Sequence, residues 1–428
     1  MRHFNITMIS SLILLLALSV NAKPIPESRA EKVGMSTERL TRVAEMTQRY
    51  VDEGKMAGIV TMVARKGRIV HFEAVGNKGV DDKRPLEKTD LFRIYSMSKP
   101  ITAVALMQLY EQGKFHLNDL VTKYVPELKD MKVRQEDGTL VDVESELTMH
   151  QLLTHTTGLG YGLDPRNATE NLYAQAGLWE SKNLDELAQK IGKLPLRYQP
   201  GEQWHYSIAV DITGLVVQRL SGMPFDKYLQ KNIFAPLAMV DTFFEVPTDK
   251  LNRFLPNHYL DPKTGKLTTI EDTPGSAMRD YQTVSLFSGG GGLVSSTMDY
   301  MRFCIALRNG GVLDGNRILG EKTIKYMTTN HLPANLQATG TGEQPTASVD
   351  AKGLGFGLGF AVILDPVLTG TMISTGSYYW GGAAGTAFWI DPEEDLVVVA
   401  MMQLMGSPKH FRPDLQISTY QAITESNQ

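Results

Sequence analysis

The chain of 428 residues has a single cysteine, Cys304, so no intramolecular disulfide can form. Beyond an N-terminal stretch it has no apolar run of the ~20 residues that a membrane-spanning helix requires. Lysine and arginine form no block and the formal net charge is −4, which argues against a nucleic-acid partner. Neither H-E-x-x-H nor H-x-H spacing occurs, and His150 and His155, five apart, do not share a helical face. Gly289–Gly292 is not followed by Gly-Lys-Ser/Thr and is not a phosphate loop. No metal and no cofactor are expected. The composition that remains, 42% hydrophobic and 21% charged, is that of a globular protein long enough for a large core and two sub-domains.

The first 22 residues read as a secretory signal peptide. Met1-Arg2-His3 gives a positive start, Met8–Val20 a short apolar core, and Val20-Asn21-Ala22 small residues before a cut ahead of Lys23. No cysteine stands at that cut, so a lipoprotein is disfavoured, and no stable membrane span is expected after cleavage. A bacterial periplasmic or secreted protein is the expectation.

Apolar spacing predicts a helix from about Thr37 to Gly54, then strands Ile59–Arg65 and Arg68–Val75 joined at Lys66-Gly67, a hairpin signal. Helical patterns and long loops dominate 116–280, including Leu184–Ile191 and Ile208–Leu220 ending at Gly222. Strands return at Phe360–Leu364, Thr386–Ile390 and Leu396–Met401, and a last helix is expected from about Pro413 to Thr424. Cys304 lies in the amphipathic run Tyr300–Leu307 and reads as a small buried hydrophobe. The pattern implies an α/β (α+β) architecture: an antiparallel sheet flanked by helices, built from both chain ends (23–115 and 281–428). A mostly helical domain, 116–280, is inserted into it. A cleft is expected between the two.

Three elements carry chemistry. Ser96-Met97-Ser98-Lys99 opens the apolar run Ile101, Val104, Ala105, Leu106 and Leu109, so the Ser96 hydroxyl and the Lys99 amine share a helical face. A desolvated amine can take the proton that keeps a serine a poor nucleophile. Pro100 fits the first turn, where free N–H groups can stabilise an oxyanion. Tyr206 follows the Pro200-Gly201 turn at a helix start, and beside an ammonium it can act as a proton shuttle; a core tyrosine with a satisfied hydroxyl is the plainer alternative. Tyr379-Trp380-Gly381-Gly382-Ala383-Ala384-Gly385 precedes a strand and lets backbone approach a ligand closely, or else forms an ordinary glycine-rich bulge.

In combination these elements resemble the serine β-lactamase and penicillin-binding protein superfamily. The likeness is closest to its class C-like branch, which includes the family VIII carboxylesterases. Leu152-Leu153-Thr154-His155-Thr156-Thr157-Gly158-Leu159 resembles the family's L-L-T-H-T-S-G-L segment, and Gly290–Ser296 its G-G-G-L-x-S-T segment. The resemblance implies a β-lactamase/DD-peptidase-like fold. It also implies Ser96 as acylated nucleophile, Lys99 and Tyr206 as proton relay, and the N–H groups of Ser96 and Ala383 as oxyanion hole. Tyr161, Tyr379 and Trp380 are candidate walls for an acyl group.

Two departures from the family pattern shape the substrate expectation. Lactamases and peptidases of this class carry Tyr-x-Asn, whereas Ile208 stands here and offers no amide. They also carry Lys-Thr-Gly, whereas Trp380-Gly381-Gly382 stands here, the form seen in family VIII esterases. A site without those polar partners should take β-lactams and D-Ala-D-Ala peptides poorly, because their buried polar groups would go unpaired. The expectation is an exported serine hydrolase of short acyl esters. A β-lactamase or D-alanyl-D-alanine carboxypeptidase, a transacylase, and an acyl-binding sensor that never releases its acyl group are the rivals. The partner is a small acyl ester or β-lactam-like molecule in every case.

Overall fold

The computed structural model describes residues 23–271, 280–334, 336 and 352–427; the expected signal peptide, 1–22, lies outside the described residues. Helix α1 (Thr37–Asp52) begins where the Ser36 hydroxyl accepts the Arg39 amide, and it buries Leu40, Val43, Met46 and Tyr50 at helical spacing. Strands β1 (Gly58–Arg65) and β2 (Arg68–Gly76) pair antiparallel across Lys66-Gly67. Both turn residues have positive φ, 51° and 68°, as a two-residue hairpin turn requires. Helix α2 (Ser98–Glu111) is buried on all sides through Leu109, as its predominantly apolar sequence favours.

Four helices of the middle segment matter for the site: α3 (Met149–Thr154), α4 (Ala168–Gln175), α5 (Leu184–Ile191) and α6 (Ala209–Ser221). Helix α6 stops at Gly222, whose φ of 68° is the left-handed cap expected of glycine. The end of this segment departs from the helical expectation. Asn257–Leu260 and Leu267–Ile270 form a hairpin, and the first of them also pairs parallel with Leu404–Met405. Helix α7 (Thr297–Arg308) then buries Cys304 fully.

The remaining strands are β3 (Leu354–Phe356), β4 (Ala361–Ile363), β5 (Tyr378–Gly381), β6 (Ala387–Asp391) and β7 (Leu396–Met402), followed by helix α8 (Phe411–Tyr420). They complete a seven-stranded antiparallel sheet of order β3-β4-β5-β6-β7-β1-β2, so strands from both chain ends meet at the β7–β1 pairing. One face carries α1 and α8, joined by Tyr50 against Phe411. The other face packs on α2 and α7 and continues into the middle segment as one apolar core. The antiparallel α+β sandwich expected from the sequence is the observed architecture.

Candidate active site

Strand Leu91–Arg93 pairs with Val294–Ser296 and delivers the chain to a single 3-10 turn, Tyr95–Met97, from which α2 continues. Tyr95 sits at φ 44°, an unfavourable region for a non-glycine residue, and its hydroxyl accepts from Asn257 Nδ2 at 2.8 Å. Ser96 therefore stands at the head of the helix rather than within it. Lys99, 1% exposed, reaches back so that Nζ lies 3.3 Å from Ser96 Oγ. The same ammonium donates to the Gly290 carbonyl at 2.7 Å and the Tyr161 hydroxyl at 3.4 Å, which gives each of its three protons an acceptor.

Tyr206 comes from the stretch between Gly201 and α6, and its hydroxyl donates to Ser96 Oγ at 2.6 Å. Its ring is caged by Trp204, His155, Tyr161 and Trp380, with centroids 6.4, 5.0, 5.5 and 5.5 Å away, and the Lys99 ammonium sits 4.5 Å from its face. Burial holds the Tyr161 phenol well above the usual tyrosine range, so it stays neutral beside Lys99. Burial, then the charges of Lys99 and His205, hold His155 well below the usual imidazole range. His155 Nδ1 accepts the Ser207 amide at 3.2 Å, so this histidine is a neutral wall behind Tyr206.

Strand β5 ends at Gly381, and the turn through Gly382 abuts the Ser96 turn. A Cβ on Gly382 would lie 2.2 Å from Thr386 Oγ1 and 2.5 Å from the Ile94 carbonyl, so only glycine permits the approach. Neither the Ser96 N–H nor the Ala383 N–H has an acceptor among the described residues. Trp380 faces Tyr206, with ring centroids 5.5 Å apart. Tyr379, one residue earlier on the strand, points to the opposite face, where Arg412 is its charged neighbour and burial pushes its phenol up to about 12. Ile208 is wholly buried in the core at the start of α6. Ser96, Lys99, Tyr206, Tyr161 and Trp380 are thus brought together, whereas Tyr379 and Ile208 do not line the space around Ser96.

The family model described as Beta-lactamase matches residues 43–420. The chain belongs to the β-lactamase family. Within it, the chain is 30% identical to Esterase EstB of Burkholderia gladioli, over 82% of this chain and 86% of that one. It is 26% identical to a putative D-alanyl-D-alanine carboxypeptidase of Escherichia coli K12, over 94% and 91%. Among solved structures it superposes with a TM-score of 0.77 on EstCE1, described as a hydrolase with promiscuous acyltransferase activity, at 26% identity over 90% of this chain and 99% of that one. This β-lactamase-family protein is a serine hydrolase with esterase relatives.

Sequence reasoning missed how Lys99 is held. Asp211 on α6 is fully buried; its Oδ1 accepts the Ser288 hydroxyl at 2.5 Å and the Gly290 amide at 3.1 Å. Burial raises its pKa, opposed by the charge of Lys99 and by the two hydrogen bonds. Gly290 thus links the two groups, with its amide on Asp211 and its carbonyl on Lys99. A lone acid in the apolar helical turn Ala209-Val210-Asp211-Ile212 was the available signal. The glycine-rich segment earns its place as well: Leu293 donates to Ser98 Oγ and accepts from the Ile94 amide.

Proposed function

We propose that the protein hydrolyses short-chain acyl esters through an acyl-enzyme on Ser96. The observation that carries the mechanism is the Ser96 hydroxyl, 2.6 Å from the Tyr206 phenol and 3.3 Å from the buried Lys99 amine. Ser96 Oγ attacks the ester carbonyl while its proton passes to the Lys99–Tyr206 pair, one of which must enter the step deprotonated. The carbonyl oxygen, now an oxyanion, takes the free N–H groups of Ser96 and Ala383. Collapse breaks the carbonyl–alkoxy bond, and the relay returns the proton to the leaving alcohol. Water, deprotonated by the same relay, then releases the acid and restores Ser96.

The ester preference rests on Trp380, which puts an indole where a carboxylate-holding lysine stands in the lactamases and peptidases it resembles. Likeness to Esterase EstB supports the same substrate class. With residues 1–22 as a cleaved signal peptide, the reaction would take place in the periplasm or outside the cell. An alcohol in place of water at the second step would make the enzyme a transacylase; the described acyltransferase activity of EstCE1 favours testing that outcome.

The experiment is steady-state kinetics with p-nitrophenyl acetate and butyrate beside nitrocefin, with and without added alcohol. The esters are expected to have the larger kcat/KM. A larger value for the cephalosporin overturns the substrate assignment, and product partitioning to the alcohol ester would identify transfer.

A further inference from the structure

Glu170 lies outside the trio, is 1% exposed, and holds two separate pieces of chain that end in the site's two tyrosines. Its Oε2 accepts the amides of Gly162 at 2.7 Å and Leu163 at 3.0 Å, and both carboxylate oxygens lie 3.3 Å from the Tyr161 amide. Its Oε1 accepts His205 Nε2 at 2.8 Å, with Arg197 Nη1 3.7 Å away. His205 is the residue before Tyr206, and its own amide is tied to the His155 carbonyl at 2.8 Å.

The carboxylate is itself placed by a cap. Asn167 Oδ1 accepts the amides of Thr169 and Glu170 at 2.9 and 3.0 Å, which starts α4 and points Glu170 at the Tyr161 loop. Asn167-Ala168-Thr169, a formal glycosylation sequon, is thus built into this helix start. Burial alone would raise the Glu170 pKa, but the His205 hydrogen bond and charge and the Leu163 and Gly162 amides outweigh it and hold it at about 2.

We propose that Glu170 is a positioning residue for the hydrolytic reaction: one buried carboxylate that fixes both tyrosines about Lys99, Tyr161 through the loop amides and Tyr206 through His205. The inference rests on the reading of Ser96, Lys99 and Tyr206 as the reacting trio. Tyr206 must hold its hydroxyl at 2.6 Å from Ser96, and Tyr161 must stay within reach of the Lys99 amine, so a shift of either loop detunes the relay. A carboxylate suits the place because its oxygens accept all of the converging donors. A glutamine there would turn one oxygen into a donor facing other donors.

The test is Glu170→Gln, read by kcat and KM on p-nitrophenyl acetate and by the second-order rate of Ser96 labelling with a fluorophosphonate probe. Each is repeated in a Tyr206→Phe background. The expected result is a fall of about 10-fold or more in kcat and labelling rate with KM within about threefold. In the Tyr206→Phe background the further loss should shrink below about threefold, because one of the two positioned hydroxyls is gone and only the Tyr161 loop is left to feel the change. Values within twofold of wild type, or equal losses in both backgrounds, overturn the proposal. His205→Gln keeps the carboxylate and its loop amides and serves if Glu170→Gln does not fold. It should lower kcat about fivefold or more, and an unchanged kcat overturns the link to Tyr206. Labelling requires no ester substrate, so a wild-type protein that labels but cleaves no ester contradicts the substrate reading and leaves the Glu170 comparison to stand or fall by itself.

Discussion

Replacing Tyr206 with phenylalanine separates chemistry from architecture. The hydroxyl makes its hydrogen bond to Ser96 Oγ, and the ring is held independently by Trp204, His155, Tyr161 and Trp380. A phenylalanine therefore keeps the cage filled and loses one hydrogen bond, worth about 1 kcal/mol. In a protein of this size that corresponds to a fall in Tm of under about 4 °C. The catalytic cost is expected to be much larger. General acid–base catalysis contributes about 100-fold or more, so kcat should fall by at least that factor, equivalent to about 2.7 kcal/mol of barrier. KM should change little because the space beside Ser96 is unaltered. The assay is kcat and KM on p-nitrophenyl butyrate and Tm by calorimetry, from one preparation. A kcat within about threefold of wild type, with a lowered Tm, would show that Tyr206 is a packing residue and would leave Lys99 as the sole candidate base.

Gly290→Ala would place a Cβ 2.3 Å from the buried Asp211 carboxylate, and it should cost about 1–3 kcal/mol of stability and move the carbonyl that holds Lys99, measured by denaturant unfolding and by kcat. Arg65, fully buried, donates to Glu394 Oε2 at 2.5 Å and to the carbonyls of Val33, Gly34, Glu394 and Glu425, so it ties both chain ends to β1. Arg65→Met should destabilise by about 3 kcal/mol or more in urea, because it removes the buried cation paired with Glu394 and five hydrogen bonds. His71 is held at about 4 by burial and then by the charge of Lys88, against an unfolded value of 6.5. Its folded-state pKa is depressed, so the unfolded chain takes the proton first and stability falls as pH drops from about 6.5 to 4, by up to about 3 kcal/mol. His71→Gln should flatten that limb of a stability-against-pH curve.

Local signals accounted for most of the fold. The Lys66-Gly67 turn, the capped amphipathic α1 and the Gly222 stop are decided by residues within a few positions of one another, and each is where the sequence puts it. The hairpin at Asn257–Ile270 was not legible, because its partner Leu404–Met405 lies more than a hundred residues away and its own apolar alternation is weak. The same distinction applies to the site. Ser96 and Lys99 are three residues apart across the 3-10 turn that opens α2, and Tyr206 was visible through its Pro-Gly turn and its place in the family pattern. The partners of Asp211 and Glu170 were not: a lone acid in an apolar helical turn marks Asp211 as buried, but which groups it meets after folding leaves no trace in its sequence surroundings. Tyr379 shows the converse: the sequence places it just before a strand, but it lies within one, and strand alternation sends it away from Trp380.

The most direct measurement is peptide mapping after acid quench of the purified protein mixed with p-nitrophenyl butyrate. The account predicts a burst of nitrophenol and a butyryl group on the peptide bearing Ser96, lost over time in wild type and never formed in Ser96→Ala, whose turnover should drop below about 1%. An acyl group on any other residue, or turnover that survives in Ser96→Ala, would contradict it.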